Sequence, residues 1–172
     1  MTIAVETNPL HPATACCLEA LTWLHEKHAF QNSLEIGCGN GILSLMAAGL
    51  WKTPVLACDI SQAAVEDTAA HSAAHNLSEF ITTLRSDGFH NPLIRTRAPY
   101  DLIIINLLAE PIVQMLPDVE SHLAPNGICI LSGIRAWETE MVEKLYINAG
   151  FATLHRVTRS PWHTFVMGYN TH

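Results

Sequence analysis

The chain has 172 residues, of which 49% are apolar and 15% charged, enough for one globular domain with a substantial core and too apolar for a disordered polymer. Lys and Arg number 9 against 16 Asp and Glu, for a formal charge of -7. A phosphate-tracking surface needs clustered cations, and Arg95 and Arg97 with Lys52 or Arg85 form at best a small positive spot, so nucleic acid is not expected as the main partner.

No repeat, low-complexity tract or linker divides the sequence, so residues 1–172 read as a single domain. Residues 1–12 carry two prolines and few apolar anchors and read as an N-terminal arm. Over 13–30, Cys17, Leu18, Leu21 and Leu24 fall at helical spacing. Ser33-Leu34-Glu35-Ile36 is a short strand that runs into Gly37, Gly39 and Gly41, and residues 42–50 follow as a small-residue helix. Residues 54–58 form a second strand ending at Asp59. Ser61 is a good N-cap for an alanine-rich helix to about Asn76. A third strand, 80–84, leads into Ser86-Asp87-Gly88. Residues 100–105 are the most apolar strand, as expected at a sheet centre, and Asn106 closes it. Residues 111–123 read as a helix, Pro125-Asn126-Gly127 as a turn and 128–131 as a fifth strand. A helix over 137–149 stops at Gly150, and strands 151–159 and 162–169 flank Ser160-Pro161 as an antiparallel hairpin. Such alternation predicts an α/β fold: a Rossmann-like, seven-stranded, mostly parallel sheet with a C-terminal antiparallel hairpin, which by analogy of pattern resembles the class I methyltransferases. A dinucleotide dehydrogenase would continue with another βαβ unit instead.

Cys16, Cys17, Cys38, Cys58 and Cys129 are odd in number, form no CxxC pair and sit largely in apolar runs, which predicts reduced, buried thiols and a cytoplasmic location. The N-terminus has no basic region or long apolar stretch, so no signal peptide is expected, and the apolar run 102–109 is too short to span a bilayer, so no membrane partner is expected. His71 and His75, and His25 and His28, have helical spacing but no third ligand at a fixed offset. They read as polar faces, and no metal site is assigned.

Chemistry concentrates at four strand ends. Glycines at alternate positions in Glu35-Ile36-Gly37-Cys38-Gly39-Asn40-Gly41 allow a sharp turn with a ligand against the main chain. The third glycine of a pyrophosphate-binding GxGxxG is missing, and the charge of Glu35 suits a cationic sulfonium or ammonium better than a phosphate. The alternative is a tight turn with no ligand. Asp59 stands where an acidic side chain accepts ribose hydroxyls, or else it caps the next helix. Asp87 can accept from an adenine amino group, or simply sits in a turn. Asn106 lies at the carboxyl end of the central strand, where its amide oxygen can accept from a substrate amine and aim the lone pair, or serve only the strand end. Methyl transfer from a sulfonium needs alignment of atoms rather than a nucleophilic Ser or Cys, and no triad is visible.

These residues together resemble the PrmA family, methyltransferases of ribosomal protein L11, over about His11 to Tyr169. His11-Pro12-Ala13-Thr14 looks like the family's H-x-T-T entry to the first helix, residues 34–43 like its cofactor loop, and Cys58-Asp59-Ile60-Ser61 like its ribose-binding strand end. Asn106-Leu107-Leu108-Ala109 resembles its N-[IL]-[LY]-A motif, Leu131-Ser132-Gly133-Ile134 a further signature, and Trp162 a tryptophan of the last hairpin. The resemblance implies that Thr14, Gly37, Asp59 and Asn106 contact S-adenosylmethionine, with Asn106 near the methyl acceptor. Residues and resemblance together give as candidate cofactor contacts His11, Thr14, Glu35, Gly37, Cys38, Gly39, Asp59, Ile60, Asp87 and Asn106, with Asn106 as the catalytic candidate. The implied reaction is N-methylation of a protein amine. Two departures stand out. Glu6-Thr7-Asn8-Pro9 replaces a glycine-containing F-G-T-G stretch, and only about ten residues precede the arm where the family carries a domain that grips the ribosomal protein. A small-molecule amine as acceptor, or a non-catalytic cofactor-binding module working with a separate recognition partner, are the alternatives.

Overall fold

The computed structural model describes residues 10–169, so the arm residues 1–9, including Glu6-Thr7-Asn8-Pro9, lie outside the described residues. The elements run α1 (Pro12–His25), β1 (Ser33–Ile36), α2 (Ile42–Trp51), β2 (Val55–Asp59), α3 (Gln62–Ala74), β3 (Ile81–Arg85), α4 (Pro92–Arg97), β4 (Tyr100–Asn106), α5 (Ala109–Gln114), α6 (Leu116–His122), β5 (Leu123–Arg135), α7 (Thr139–Asn148), β6 (Phe151–Arg159) and β7 (Trp162–Tyr169). One seven-stranded sheet has the order β3-β2-β1-β4-β5-β7-β6. Strands β1 to β5 pair in parallel, and β7 pairs antiparallel with both β5 and β6.

Alternation along the strands divides the core in two. Val55, Ala57, Leu102, Ile104, Ile128 and Ile130 face α1 and α2, whereas Leu34, Ile36, Leu56, Cys58, Ile103, Ile105 and Leu131 face the helices of the other side. β2, β4 and the paired part of β5 are therefore apolar on both faces, which explains why they read as runs, whereas β1 places Ser33 and Glu35 on one face. All five cysteines are buried and free. Among the described residues no helix is long and apolar enough to cross a membrane.

The structure corrects several expected boundaries. The first helix starts at Pro12, so the arm ends at His11, and it stops at His25 rather than Phe30. Phe30 instead packs edge-on against Trp51. The single helix expected over 111–123 is two helices meeting at Met115, because Pro117 has no N–H to donate and its ring crowds the preceding turn. A short helix, α4, follows β3 where none was expected. Asn91 caps it by accepting from Leu93 N, and Pro92 opens it. The turn at Pro125-Asn126-Gly127 is absorbed into β5, where the partner of β4 jumps from Leu123 to Ile128.

A second irregularity in β5 matters more. Register against β7 shifts between Ser132 and Ile134, across Gly133 at φ +87°. The bulge reverses which face the following residues occupy: Ile134 joins the core of Leu131, and Arg135 pairs with Trp162 of β7. Gly133 also lets the chain leaving β4 pass directly over it. A Cβ there would lie 2.1 Å from the Leu107 carbonyl oxygen, while Leu107 N donates to Ser132 O at 3.1 Å. Gly133→Ala should therefore cost more than the roughly 1–3 kcal/mol of a left-handed alanine. Gly39→Ala, whose Cβ would meet nothing within 4 Å, carries only the conformational strain. Denaturant midpoints of the two variants check this; equal losses would remove the steric role of Gly133.

Candidate functional site

The strand order reverses between β1 and β4, and the carboxyl ends of β1, β2, β3 and β4 open into one crevice there. The loop after β1 is held from two sides. Gly37 N and Cys38 N both donate to Cys58 O, at 2.8 and 2.9 Å. From α3, Thr68 Oγ1 donates to Gly39 O at 3.0 Å, and His71 Nδ1 lies 2.8 Å from Asn40 O. Gly41, at φ +81°, leaves room for Thr68, whose side chain would be 2.6 Å from a Cβ. Thr68 and His71 were not legible as loop anchors in sequence, since nothing in an alanine-rich helix marks which face meets the glycines.

Asp59, at the end of β2, accepts from Gly39 N through Oδ2 and from Ser61 N through Oδ1, each at 2.9 Å. Ser61 itself caps α3 by accepting from Ala64 N. Asp59 therefore fixes the loop geometry and still retains about two of its roughly four lone-pair positions. A cavity of about 220 Å³ lies beside it, lined in part by Gly37, Asp59, Ile60, Asp87, Leu107 and Met115. Ile60 is 62% exposed, a large apolar side chain left at this opening.

A second cavity of about 360 Å³ adjoins the end of β4. Its lining includes His11, Thr14, Asn106, Leu107, Gly133 and Trp162. Leu107 lines both cavities and so forms their common wall. Asn106 Nδ2 donates to Thr14 Oγ1 at 3.2 Å. The first turn of α1 is tied down further by Ser132 Oγ, which donates to Ala13 O at 3.0 Å, and by His11. The His11 ring meets Trp162 edge-on at 4.8 Å while Nδ1 accepts from Ala13 N. The Leu131-Ser132-Gly133-Ile134 segment thus has a physical role at each polar or small position: Ser132 fixes α1, and Gly133 admits Leu107.

Of the residues singled out in sequence, the structure gathers Gly37, Asp59, Ile60 and Asp87 around the first cavity and His11, Thr14 and Asn106 around the second. Gly39 is at the open edge of the loop. Cys38 and Glu35 line neither cavity. Cys38 is buried with Sγ 3.4 Å from Thr68 Oγ1, and burial pushes its thiol up to about 12. Glu35 corrects the charge expectation. It is 1% exposed and accepts from Ser44 Oγ and from the Ser44 backbone N–H in the first turn of α2. The N-cap of that helix, Gly41, has no side chain to do so. Burial pushes the Glu35 carboxyl from 4.5 up to about 8, against the pull of Ser44, so near neutrality it presents little charge to the crevice. Leu107, Pro111 and Met115 carry no chemical signature and were not found in sequence. Another cavity, about 430 Å³, lies apart between α4 and α6, near Phe89, Arg95 and His122, and shares no residue with the site.

A family model described as ribosomal protein L11 methyltransferase (PrmA) matches residues 9–169. The ribosomal protein L11 methyltransferase of Mesorhizobium japonicum is 34% identical over 154 residues, covering 90% of this chain and 53% of that protein. The one from Brucella abortus is 38% identical over 149 residues, covering 85% and 52%. The chain spans about half the length of the curated relatives it matches. Among solved structures, a ribosomal protein L11 methylase from Lactobacillus delbrueckii subsp. bulgaricus superposes with a TM-score of 0.84 at 22% identity, over 95% of this chain and 81% of that one. The N-methyltransferase NodS from Bradyrhizobium japonicum, in complex with S-adenosyl-l-homocysteine, gives 0.73 at 17% identity, over 94% and 89%. At these identities the two superpositions establish a shared fold.

The state of Glu35 has a measurable consequence. As pH rises from the ordinary carboxylate range, the unfolded chain releases this proton first and the native chain holds it to about 8, so this group lowers stability progressively across that window and no further above it. Glu35→Gln, which cannot titrate, should lose less stability than the parent between about pH 5 and about pH 8.5 in thermal melts. Parallel pH profiles for the two would show that Glu35 is ionised in the fold.

Proposed function

This chain belongs to the ribosomal protein L11 methyltransferase (PrmA) family, and on that premise we propose that it is an S-adenosylmethionine-dependent N-methyltransferase acting on an amine of a protein. The observation that carries the reading is the setting of Asn106, whose Nδ2 is committed to Thr14 and whose amide stands at the wall of the second cavity with Oδ1 left to accept.

The first cavity fits a sulfonium nucleoside. The main chain at Gly39 faces open space, so a ligand can lie against it. The lining contains two carboxylates, Asp59 and Asp87, and no Lys or Arg, the opposite of what a pyrophosphate requires. Once bound, the cofactor supplies an electrophilic methyl group on a cationic sulfur. The free lone pairs of Asp59 accept from its ribose hydroxyls, Asp87 accepts from the base amino group, and Ile60, Leu107, Pro111 and Met115 provide apolar surface for the ring. Gly37 and Gly39 complete the enclosure, and Thr14 would meet the cofactor from the side of the second cavity.

On the acceptor side, Asn106 Oδ1 accepts a hydrogen from the substrate amine and fixes the direction of its lone pair, which serves an in-line displacement. Only the neutral amine has that lone pair. The burial-raised thiols of Cys38 and Cys58, both pushed up to about 12, supply no competing thiolate nucleophile. Five free, buried cysteines fit a cytoplasmic setting.

Incubating the chain with methyl-labelled cofactor and a cell extract should label a protein amine, identified by mass spectrometry. Tight cofactor binding with no labelled product would overturn the catalytic reading. Asp59→Ala should weaken binding of S-adenosylhomocysteine by roughly 1–3 kcal/mol in calorimetry, the cost of losing a charge-assisted partner, and unchanged affinity would remove Asp59 from the ribose. Asn106→Ala should lower the rate of methyl transfer well beyond any loss in cofactor affinity. Equal losses in both would leave Asn106 a structural tie to Thr14.

A further inference from the structure

Beside the second cavity stands a cation that the proposed chemistry does not use. The bulge at Gly133 turns Arg135 toward β7, where it pairs with Trp162. Its guanidinium carbon lies 5.7 Å from the Trp162 ring centroid and 5.6 Å from that of Trp137, so the group is flanked by two indoles. Trp162 is part of the cavity wall, and Trp137 is 71% exposed, the most exposed of the large apolar side chains among the described residues.

The guanidinium has rings beside it and no acid. Arg156 and Arg159 are paired with Glu143 and Glu19, whereas among the described residues Arg135 makes no side-chain hydrogen bond or ion pair. The nearby carboxylate of Glu138 accepts from the Arg135 backbone N–H, at 2.9 Å, and not from the guanidinium. A guanidinium flanked by rings keeps its in-plane N–H donors available, and those donors match the two oxygens of a carboxylate. Arg135 stands three residues beyond Ser132, the register partner of Asn106, which places it roughly 10 Å further along the strand direction. That separation is within the reach of an arginine on one side and an extended peptide on the other.

We propose, on the basis of the methyltransferase reading above, that Arg135 with Trp137 and Trp162 is an acceptor-selecting site that binds a carboxylate carried by the substrate close to its reacting amine. The occupant is an acidic protein segment. A nucleic-acid backbone is disfavoured because its repeated phosphates need several cations, and Arg135 has no Lys or Arg neighbour in the cavity lining. Substrate would be oriented by two anchors, Asn106 at the amine and Arg135 at the acid. A protein amine without an adjacent carboxylate would enter the cavity without orientation.

The test uses the full chain saturated with S-adenosylhomocysteine and two lysine peptides that differ only in a flanking Glu or Gln, with binding followed by tryptophan fluorescence. The Glu peptide should bind about ten-fold more tightly than the Gln peptide, the scale of one charge-assisted contact. Arg135→Gln should abolish that preference at unchanged affinity for S-adenosylhomocysteine, and Arg135→Lys, which keeps the charge without the planar fork, should restore part of it. No discrimination by the parent chain, including no binding of either peptide, overturns the proposal, as does discrimination that survives Arg135→Gln. A single-stranded oligonucleotide competing better than the Glu peptide would overturn it in favour of a phosphate site. Failure of the parent chain to bind S-adenosylhomocysteine would instead bring down the methyltransferase reading and this proposal with it.

Discussion

The passage of the chain over Gly133 is the constraint on which the site depends. β4 and β5 run side by side, and the segment leaving β4 must cross the end of β5 with its backbone almost in contact. The absence of a side chain at Gly133 permits this crossing, and the left-handed φ there produces the bulge. Three results follow from one residue. Leu107 is held where it separates the two cavities. Asn106 is held within reach of Thr14. Arg135 is turned onto the face that carries Trp162. Because Leu107 belongs to both cavities, any occupant that displaces it changes the free energy of filling the other, and the effect is the same in either direction.

Acidic groups do different work according to depth. Glu35 lies under the glycine loop, where burial favours its neutral form and its carboxyl serves the first turn of α2. Asp59 stands at the rim, holding Gly39 and Ser61 with lone pairs to spare. Glu35 precedes the glycines in the chain, and Asp59 reaches them from the end of β2. Asp59 and Asp87 are the carboxylates of the first cavity's lining, so the proposed preference for a cationic nucleoside rests on them and on the lack of Lys and Arg there.

Most of the architecture was legible because it is written in local patterns. The strands β1, β6 and β7 follow the expected limits, since each is bounded by Gly, Pro or Asn on at least one side. The mostly parallel sheet with an antiparallel closing hairpin followed from the alternation of elements, whereas the strand order is seen only in the structure. What was not legible depends on contacts distant in sequence. Glu35 is next to the glycines in the chain, but whether it faced the ligand or the helix was decided by the pleat of β1 and by Ser44. The Met115 break was signalled by Pro117 and outweighed by the apolar spacing around it. The roles of Leu107, Met115 and Thr68 come from where other elements pack, and an apolar or small side chain carries no mark of that. Arg135 was invisible for a related reason, because its face is set by the bulge two residues earlier.

The second cavity takes its walls from both ends of the chain: His11 and Thr14 come from the start of α1, and Trp162 comes from the last strand. During synthesis the glycine loop and Asp59 leave the ribosome long before Trp162 does. A nascent polypeptide can therefore assemble the crevice at the ends of β1 and β2 early, but the second cavity lacks a wall until the closing hairpin has emerged and folded back on β5.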